Sequence, residues 1–140
     1  MNYITENYKN KYLFLSMNSI KRGRDFWGPS FWATIHSAAA AYKPEYQTDF
    51  VSFMNTMSSI LPCDKCKVHL KTNLRTYPIE NYLKNNHDLF FWTYLLHDTV
   101  NEYHNKTHPH ATPKKSPQYE TIKKYYFKAL GEECKACQTI

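Results

Sequence analysis

Between residues 31 and 130 the apolar positions return every three or four residues, and most runs are closed by a proline. Phe31, Trp32, Ile35, His36, Ala39 and Ala40 mark one face of a helix that starts near Asp25 or Pro29 and stops before Pro44. Phe50, Phe53, Met54, Met57 and Ile60 form the buried stripe of a second helix, from about Thr48 or Asp49 to Ile60, stopped by Pro62. A third runs from about Cys63 to Arg75, with Cys66, Leu70 and Leu74 at related positions, and Tyr77-Pro78 ends it. A further short turn is expected around Ile79 to Leu83. The fourth long helix covers about Asp88 to Asn105, with Phe91, Trp92, Leu95, Leu96 and Val100 as core candidates. Thr107 to Pro117 is a proline-rich loop, and a last helix runs from Gln118 to Leu130 with Gly131 as its C-cap. No stretch alternates as a strand does, and no repeat is present. The expected fold is all-α: a four-helix bundle with an additional short fifth helix.

The expected domain spans residues 26–131. Before it, residues 1–25 are a polar, Asn/Lys/Tyr-rich extension with helical character only around Tyr12 to Leu15. After it, residues 132–140 read as a flexible tail.

Composition narrows the function classes. Hydrophobic residues make up 42% and aromatics 16% of 140 residues, enough for a folded core with flat side chains to spare for a stacked ligand. Three glycines, none between 29 and 130, exclude a glycine-rich phosphate loop or dinucleotide fingerprint. The net charge of +6 is spread along the chain, apart from Lys21-Arg22-Gly23-Arg24 and Lys123-Lys124. That pattern fits a solvated surface, so no nucleic-acid partner is expected. No run reaches the roughly 18 apolar residues of a membrane span. Tyr12 to Met17 is too short for a good signal peptide, and an intracellular chain is the expectation.

The four cysteines fall at two identical spacings, Cys63/Cys66 and Cys134/Cys137. Pro62 leads into a helix whose first turn would hold the first pair, where backbone N–H groups and the helix dipole favour a thiolate. A reversible dithiol is the favoured reading. A zinc site shared by both pairs, in a zinc-stabilised helical interaction module, is the alternative. Cys134/Cys137 would be a carrier disulfide on a mobile arm, an incidental exposed pair or a metal-binding tail. Trp32 and His36 share a helix face, as do His97, Asn101 and Asn105, and two such faces can clamp a flat polar ligand. Lys106 follows directly and could meet a phosphate. His104, His108 and His110 are expected to be solvated, and no metal ligand set is expected.

Three segments together resemble the Erv/ALR family of FAD-linked sulfhydryl oxidases. They are Trp27-Gly28-Pro29-Ser30-Phe31-Trp32-Ala33-Thr34-Ile35-His36, Pro62-Cys63-Asp64-Lys65-Cys66-Lys67-Val68-His69-Leu70 and Trp92-Thr93-Tyr94-Leu95-Leu96-His97-Asp98-Thr99-Val100-Asn101. The resemblance implies FAD at the mouth of the bundle, a homodimer, protein dithiols as substrates and dioxygen as the final acceptor. It implies that Cys66 is the flavin-proximal sulfur and Cys63 the exchange sulfur. Gly28, Trp32, His36, Cys66, His69, Trp92, His97, Val100, Asn101, Asn105 and Lys106 fall on positions implied to contact the cofactor, and Cys134/Cys137 look like the family's shuttle pair. Two departures stand out: Asp98 replaces the usual Asn, and Leu61 replaces the common aromatic before Pro62. Asp98 is therefore expected to face away from the cofactor phosphates or to meet a lysine. The chain looks similar to members from large DNA viruses, which implies the host cytoplasm or the virion.

Overall fold

A computed structural model describes the backbone of residues 22–137 and the side chains of residues 22–131. The described residues form five α-helices and two 3-10 turns, with no strand. The helices are α1 (Arg24–Ala40), α2 (Gln47–Ile60), α3 (Asp64–Thr76), α4 (Asn86–Thr107) and α5 (Tyr119–Cys137). The 3-10 turns are Pro44–Tyr46 and Ile79–Tyr82. Tyr12 to Leu15 lie outside the described residues.

The chain divides into two units after Ala33. In the first, Gly23 takes a left-handed φ of 57°, and its carbonyl accepts the N–H groups of Phe26 (3.0 Å) and Trp27 (3.3 Å). That start places Pro29 inside α1 instead of at its beginning. Phe31 stands edge-on to Trp27 and to Trp32, with ring centroids 5.9 and 5.4 Å apart.

In the second unit the core gathers Ile35 and Ala39 of α1, Phe50 and Met54 of α2, Leu70 of α3, and Leu89, Phe90, Trp92 and Leu96 of α4. Burial of this apolar surface is the main stabilising term. Polar clasps fix the ends of the helices. Tyr42 donates to the Leu83 carbonyl at 2.9 Å, and the Asn86 amide donates to the Ala40 carbonyl at 2.9 Å. Asn85 caps α4 by accepting the Asp88 N–H at 2.9 Å. The Trp92 indole donates to the Tyr77 carbonyl at 2.9 Å, tying the turn after α3 to the middle of α4.

Two expected core positions are corrected. Ile60 is 62% exposed, because it is the last residue of α2 and the chain turns away there. Phe91 is 41% exposed and Phe90 is buried in its place. Phe90 meets Tyr126 and Phe127 of α5 at 5.6 and 5.5 Å, so α5 selects which of the two adjacent rings faces inward. Leu74, Leu95 and Val100 are half-buried. Gly131 does not cap α5: the helix continues through it to Cys137. Among the described glycines only Gly23 has a positive φ, so Gly131 keeps helical backbone and the good helix formers after it carry the helix on. Where a flexible tail was expected from residue 132, the described backbone is helical through residue 137.

Candidate active site

Pro62 lies two residues before the first residue of α3, just ahead of the N-cap, not in its first turn. Cys63 is the N-cap, with extended backbone (φ −154°, ψ 113°), and Asp64 is the first helical residue. The Cys63 sulfur accepts the N–H of Cys66 at 3.2 Å, taking the place of a capping hydroxyl or carboxylate. Cys63 and Cys66 are joined in a disulfide with Cα atoms 5.2 Å apart, and both residues are half-buried. In this oxidation state neither sulfur is available as the thiolate that a shared zinc site would need. A thiolate on Cys63 would inherit the N–H of Cys66 and the positive end of α3. Asp64 opposes that charge, and the Lys67 ammonium at 3.0 Å offsets it.

Cys66, His69, Leu70 and Asn73 recur at the helical period and share the inward half of α3. The His69 ring meets Tyr103 of α4 at 4.0 Å, and its burial holds the imidazole below the ordinary histidine range. Asn73 is buried, and its amide nitrogen has no hydrogen-bond partner among the described residues.

The two histidines read separately from the sequence form one pair. His36 Nε2 and His97 Nδ1 are 3.1 Å apart, and His36 Nδ1 is 2.8 Å from Thr93 Oγ1. The Thr93 hydroxyl donates to the Phe90 carbonyl at 2.8 Å. Its one proton is thus committed, so His36 Nδ1 must carry the proton it gives to Thr93, and His36 Nε2 must accept from His97 Nδ1–H. This directed chain requires the His36 ring to be neutral, because its Nε2 accepts. Burial, and secondly the neighbouring His97, push His36 down to about 3. His97 is pushed down to about 4 by burial and by Lys114, while Asp98 acts in the opposite direction. Tyr126 closes one side of His36 at 5.4 Å.

Asn101 and Asn105 occupy the expected stripe, and both are bonded to the proline-rich loop. The Asn101 amide donates to Ser116 Oγ at 3.0 Å. Asn105 donates to the Lys114 carbonyl at 2.8 Å and accepts the Lys114 N–H at 2.7 Å. This two-point clamp holds Lys114 where its charge bears on His97. Lys106 is exposed, half a turn round α4 from His97, so it is not brought to the stripe. Trp92 is wholly enclosed, and its observed work is to hold the Tyr77 carbonyl. A Cβ added to Gly28 would meet nothing within 4 Å, so no close approach of backbone requires a glycine there. Asp98 forms no ion pair among the described residues; burial and then the Asp98 charge raise Tyr94, and at His97 the Asp98 charge only partly offsets the lowering by burial. The rings of His104 and His108 stack at 4.7 Å, and no group of three His, Cys, Asp or Glu residues among the described ones could hold a metal.

Thr93, Lys114, Ser116 and Tyr126 were missed as site residues. Thr93 sits four residues before His97 and was legible from that spacing. Lys114 and Ser116 lie in a loop without periodicity.

A helix-capping CxxC disulfide in a helical bundle is the arrangement of a thiol–disulfide redox protein. The Erv1/Alr family model matches residues 29–126, most of the chain, and the chain belongs to that family. It is 31% identical over 109 residues to a probable FAD-linked sulfhydryl oxidase of Acanthamoeba polyphaga mimivirus, covering 66% of this chain and 76% of that protein. It is 31% identical over 86 residues to an FAD-linked sulfhydryl oxidase of African swine fever virus, covering 57% and 69% of the two chains. A shorter match, 42% over 48 residues, is to a putative FAD-linked sulfhydryl oxidase of Invertebrate iridescent virus 6, covering 31% and 42%. No solved structure matches significantly. No helix among the described residues is long and apolar enough to cross a membrane.

Proposed function

We propose that this chain is an FAD-dependent sulfhydryl oxidase that forms disulfides in protein dithiols. The observation that carries the reading is the Cys63–Cys66 disulfide at the N-terminus of α3, its capping sulfur held by the Cys66 N–H. A thiolate of the tail dithiol Cys134/Cys137 attacks Cys63 and Cys66 leaves as thiolate. The second tail thiol then displaces Cys63, so two electrons enter the Cys63/Cys66 pair, and the tail disulfide so formed is reduced by the substrate dithiol, which gains one disulfide. FAD, when bound, would supply a two-electron acceptor for the Cys63/Cys66 pair, and dioxygen would take those two electrons from it and be reduced to hydrogen peroxide.

The donor set fits a flat, anionic dinucleotide. Half-buried His97 offers an imidazole that buried His36 orients, Asn101 and Asn105 bring amides tied to the loop, Lys114 brings a positive charge, and Cys66 is half-buried. Gly28, Trp32, His69 and Val100 join this set on the family resemblance. Trp92 acts from behind, by fixing α4.

The direction of the helices supports a homodimer with a shuttle acting between protomers. His69 meets Tyr103, and Tyr77 meets Trp92, so α3 and α4 run antiparallel. Phe127 stacks on His87 while Tyr119 meets Tyr94, so α5 also runs against α4. Cys63 therefore lies beyond the Tyr103 end of α4, and Cys134 beyond the His87 end. Those two contacts are sixteen residues apart on α4, about 24 Å of helix. The tail pair accordingly serves the Cys63–Cys66 disulfide of a partner protomer. The viral relatives support a viral source, with action in the host cytoplasm or the virion.

The test is oxygen uptake with dithiothreitol by the flavin-loaded protein and its Cys66→Ser variant. Turnover in the first, and its loss in the second with flavin still bound, are expected. Undiminished turnover by Cys66→Ser would remove the disulfide from the reaction.

A further inference from the structure

The outward face of α3 carries Lys65, Val68, Lys71, Thr72 and Arg75, all exposed. At 100° per residue these positions occupy about a third of the helix circumference, opposite the buried Leu70 and Asn73. The helix has four lysines and arginines against one acid, Asp64, and that carboxylate is 3.0 Å from the Lys67 ammonium. Lys65, Lys71 and Arg75 thus form a basic strip that starts two residues from Cys63. Val68, 66% exposed, is an apolar contact in its middle.

One segment of the chain has the opposite character and carries a cysteine: Glu132-Glu133-Cys134-Lys135-Ala136-Cys137. Glu132 and Glu133 are the only adjacent acidic residues in the sequence, and they directly precede Cys134. Lys135 separates them from Cys137. We propose that the Lys65–Lys71–Arg75 strip is a docking surface for the Glu132-Glu133-Cys134 segment of a second copy, and that it presents Cys134, not Cys137, to Cys63. This rests on the shuttle reading above and adds its recognition element.

The exchange is balanced. The Cys134 thiolate attacks Cys63, the Cys63–Cys66 bond breaks, and Cys66 leaves as thiolate. The Cys137 thiolate then attacks Cys134, and Cys63 leaves in turn. Two electrons pass to the Cys63/Cys66 pair, and each proton lost by an attacking thiol is matched by one available to a leaving thiolate. A substrate dithiol reduces the tail again. Because the strip is exposed, it acts through the rate of productive encounter and is weakened by salt.

The experiment uses the full, flavin-loaded chain and compares oxygen uptake on a reduced unfolded protein with uptake on dithiothreitol. Glu132→Gln with Glu133→Gln, and separately Lys65→Gln with Lys71→Gln and Arg75→Gln, should each lower the protein-dithiol rate about tenfold at low salt. The dithiothreitol rate should fall far less. Exchanging the charges across the pair, Glu132→Lys and Glu133→Lys with Lys65→Glu, Lys71→Glu and Arg75→Glu, should restore most of the loss. In Cys66→Ser, mild oxidation should trap a covalent dimer whose mass map gives a Cys63–Cys134 bridge. Unchanged rates in the neutralised variants, alongside a slow Cys134→Ser/Cys137→Ser variant, overturn the docking strip and leave the shuttle standing. A Cys134→Ser/Cys137→Ser variant as fast as the parent overturns both. A Cys63–Cys137 bridge, or one closed within a single protomer, overturns the assignment of sulfur or of copy.

Discussion

Acidification should unfold this protein through two histidines before its carboxylates matter. Burial holds both His36 and His97 neutral, with folded pKa values pushed to about 3 and about 4, and His36 is also held by a hydrogen-bond chain that ends at the Phe90 carbonyl. In the unfolded chain both titrate near the ordinary value of 6.5. Below that value the unfolded state binds protons that the folded state refuses, so stability falls with pH until the folded pKa values are reached. Each group then contributes a slope of about 1.4 kcal/mol per pH unit. Over about 1.5 units below the unfolded pKa, the pair costs roughly 4 kcal/mol as an upper value, a large part of a typical domain's stability. The charges facing the pair are Asp98 and Lys114, which oppose each other at His97, so neither cancels the burial. Urea unfolding at a series of pH values down to about 5 measures the slope. His97→Gln should reduce it by about half. A stability flat across that window, or imidazole NMR signals titrating near 6.5 in the folded protein, would refute the neutral pair.

Three further outcomes follow from particular contacts. Asn105→Ala removes both bonds to Lys114 (2.7 and 2.8 Å) and should cost about 1–2 kcal/mol, with hydrogen exchange rising in the proline-rich loop before the helices. Trp92→Phe keeps most of the ring volume but strands the Tyr77 carbonyl; about 1–3 kcal/mol should be lost in urea unfolding. Gly131→Ala should stabilise α5 by roughly 0.5–1 kcal/mol, because an added Cβ meets nothing within 4 Å and the backbone is helical. A lower melting temperature for that variant would mean that Gly131 is a left-handed cap after all.

The helices were legible because their apolar positions hold phase for three or more turns between prolines. Phase failed where apolar residues are adjacent. Phe90-Phe91-Trp92 offers three ways to face a core, and the choice belongs to Tyr126 and Phe127 on a distant helix. Gly131 misled for a related reason: a glycine ends a helix only when a left-handed residue is needed, and Glu132 to Ala136 propagate one instead. The polar stripe of α4 was visible in its spacing, but its partners were not. Asn101 and Asn105 meet loop residues that share no period with them, and the His36–His97 bond joins positions 61 residues apart. The Cys63–Cys66 pairing was readable from the CxxC spacing, while the shift of Pro62 to a position before the N-cap depends on the extended backbone of Cys63.

The central claim is that the disulfide at the start of α3 exchanges electrons with a bound flavin. Anaerobic addition of dithiothreitol to the purified chain, followed by its absorbance spectrum, tests it directly. The account predicts a yellow protein whose flavin band bleaches with dithiol and returns on admission of air, and a Cys63→Ser/Cys66→Ser variant that stays yellow. A colourless protein, or a flavin band that bleaches equally fast without those two sulfurs, would contradict it.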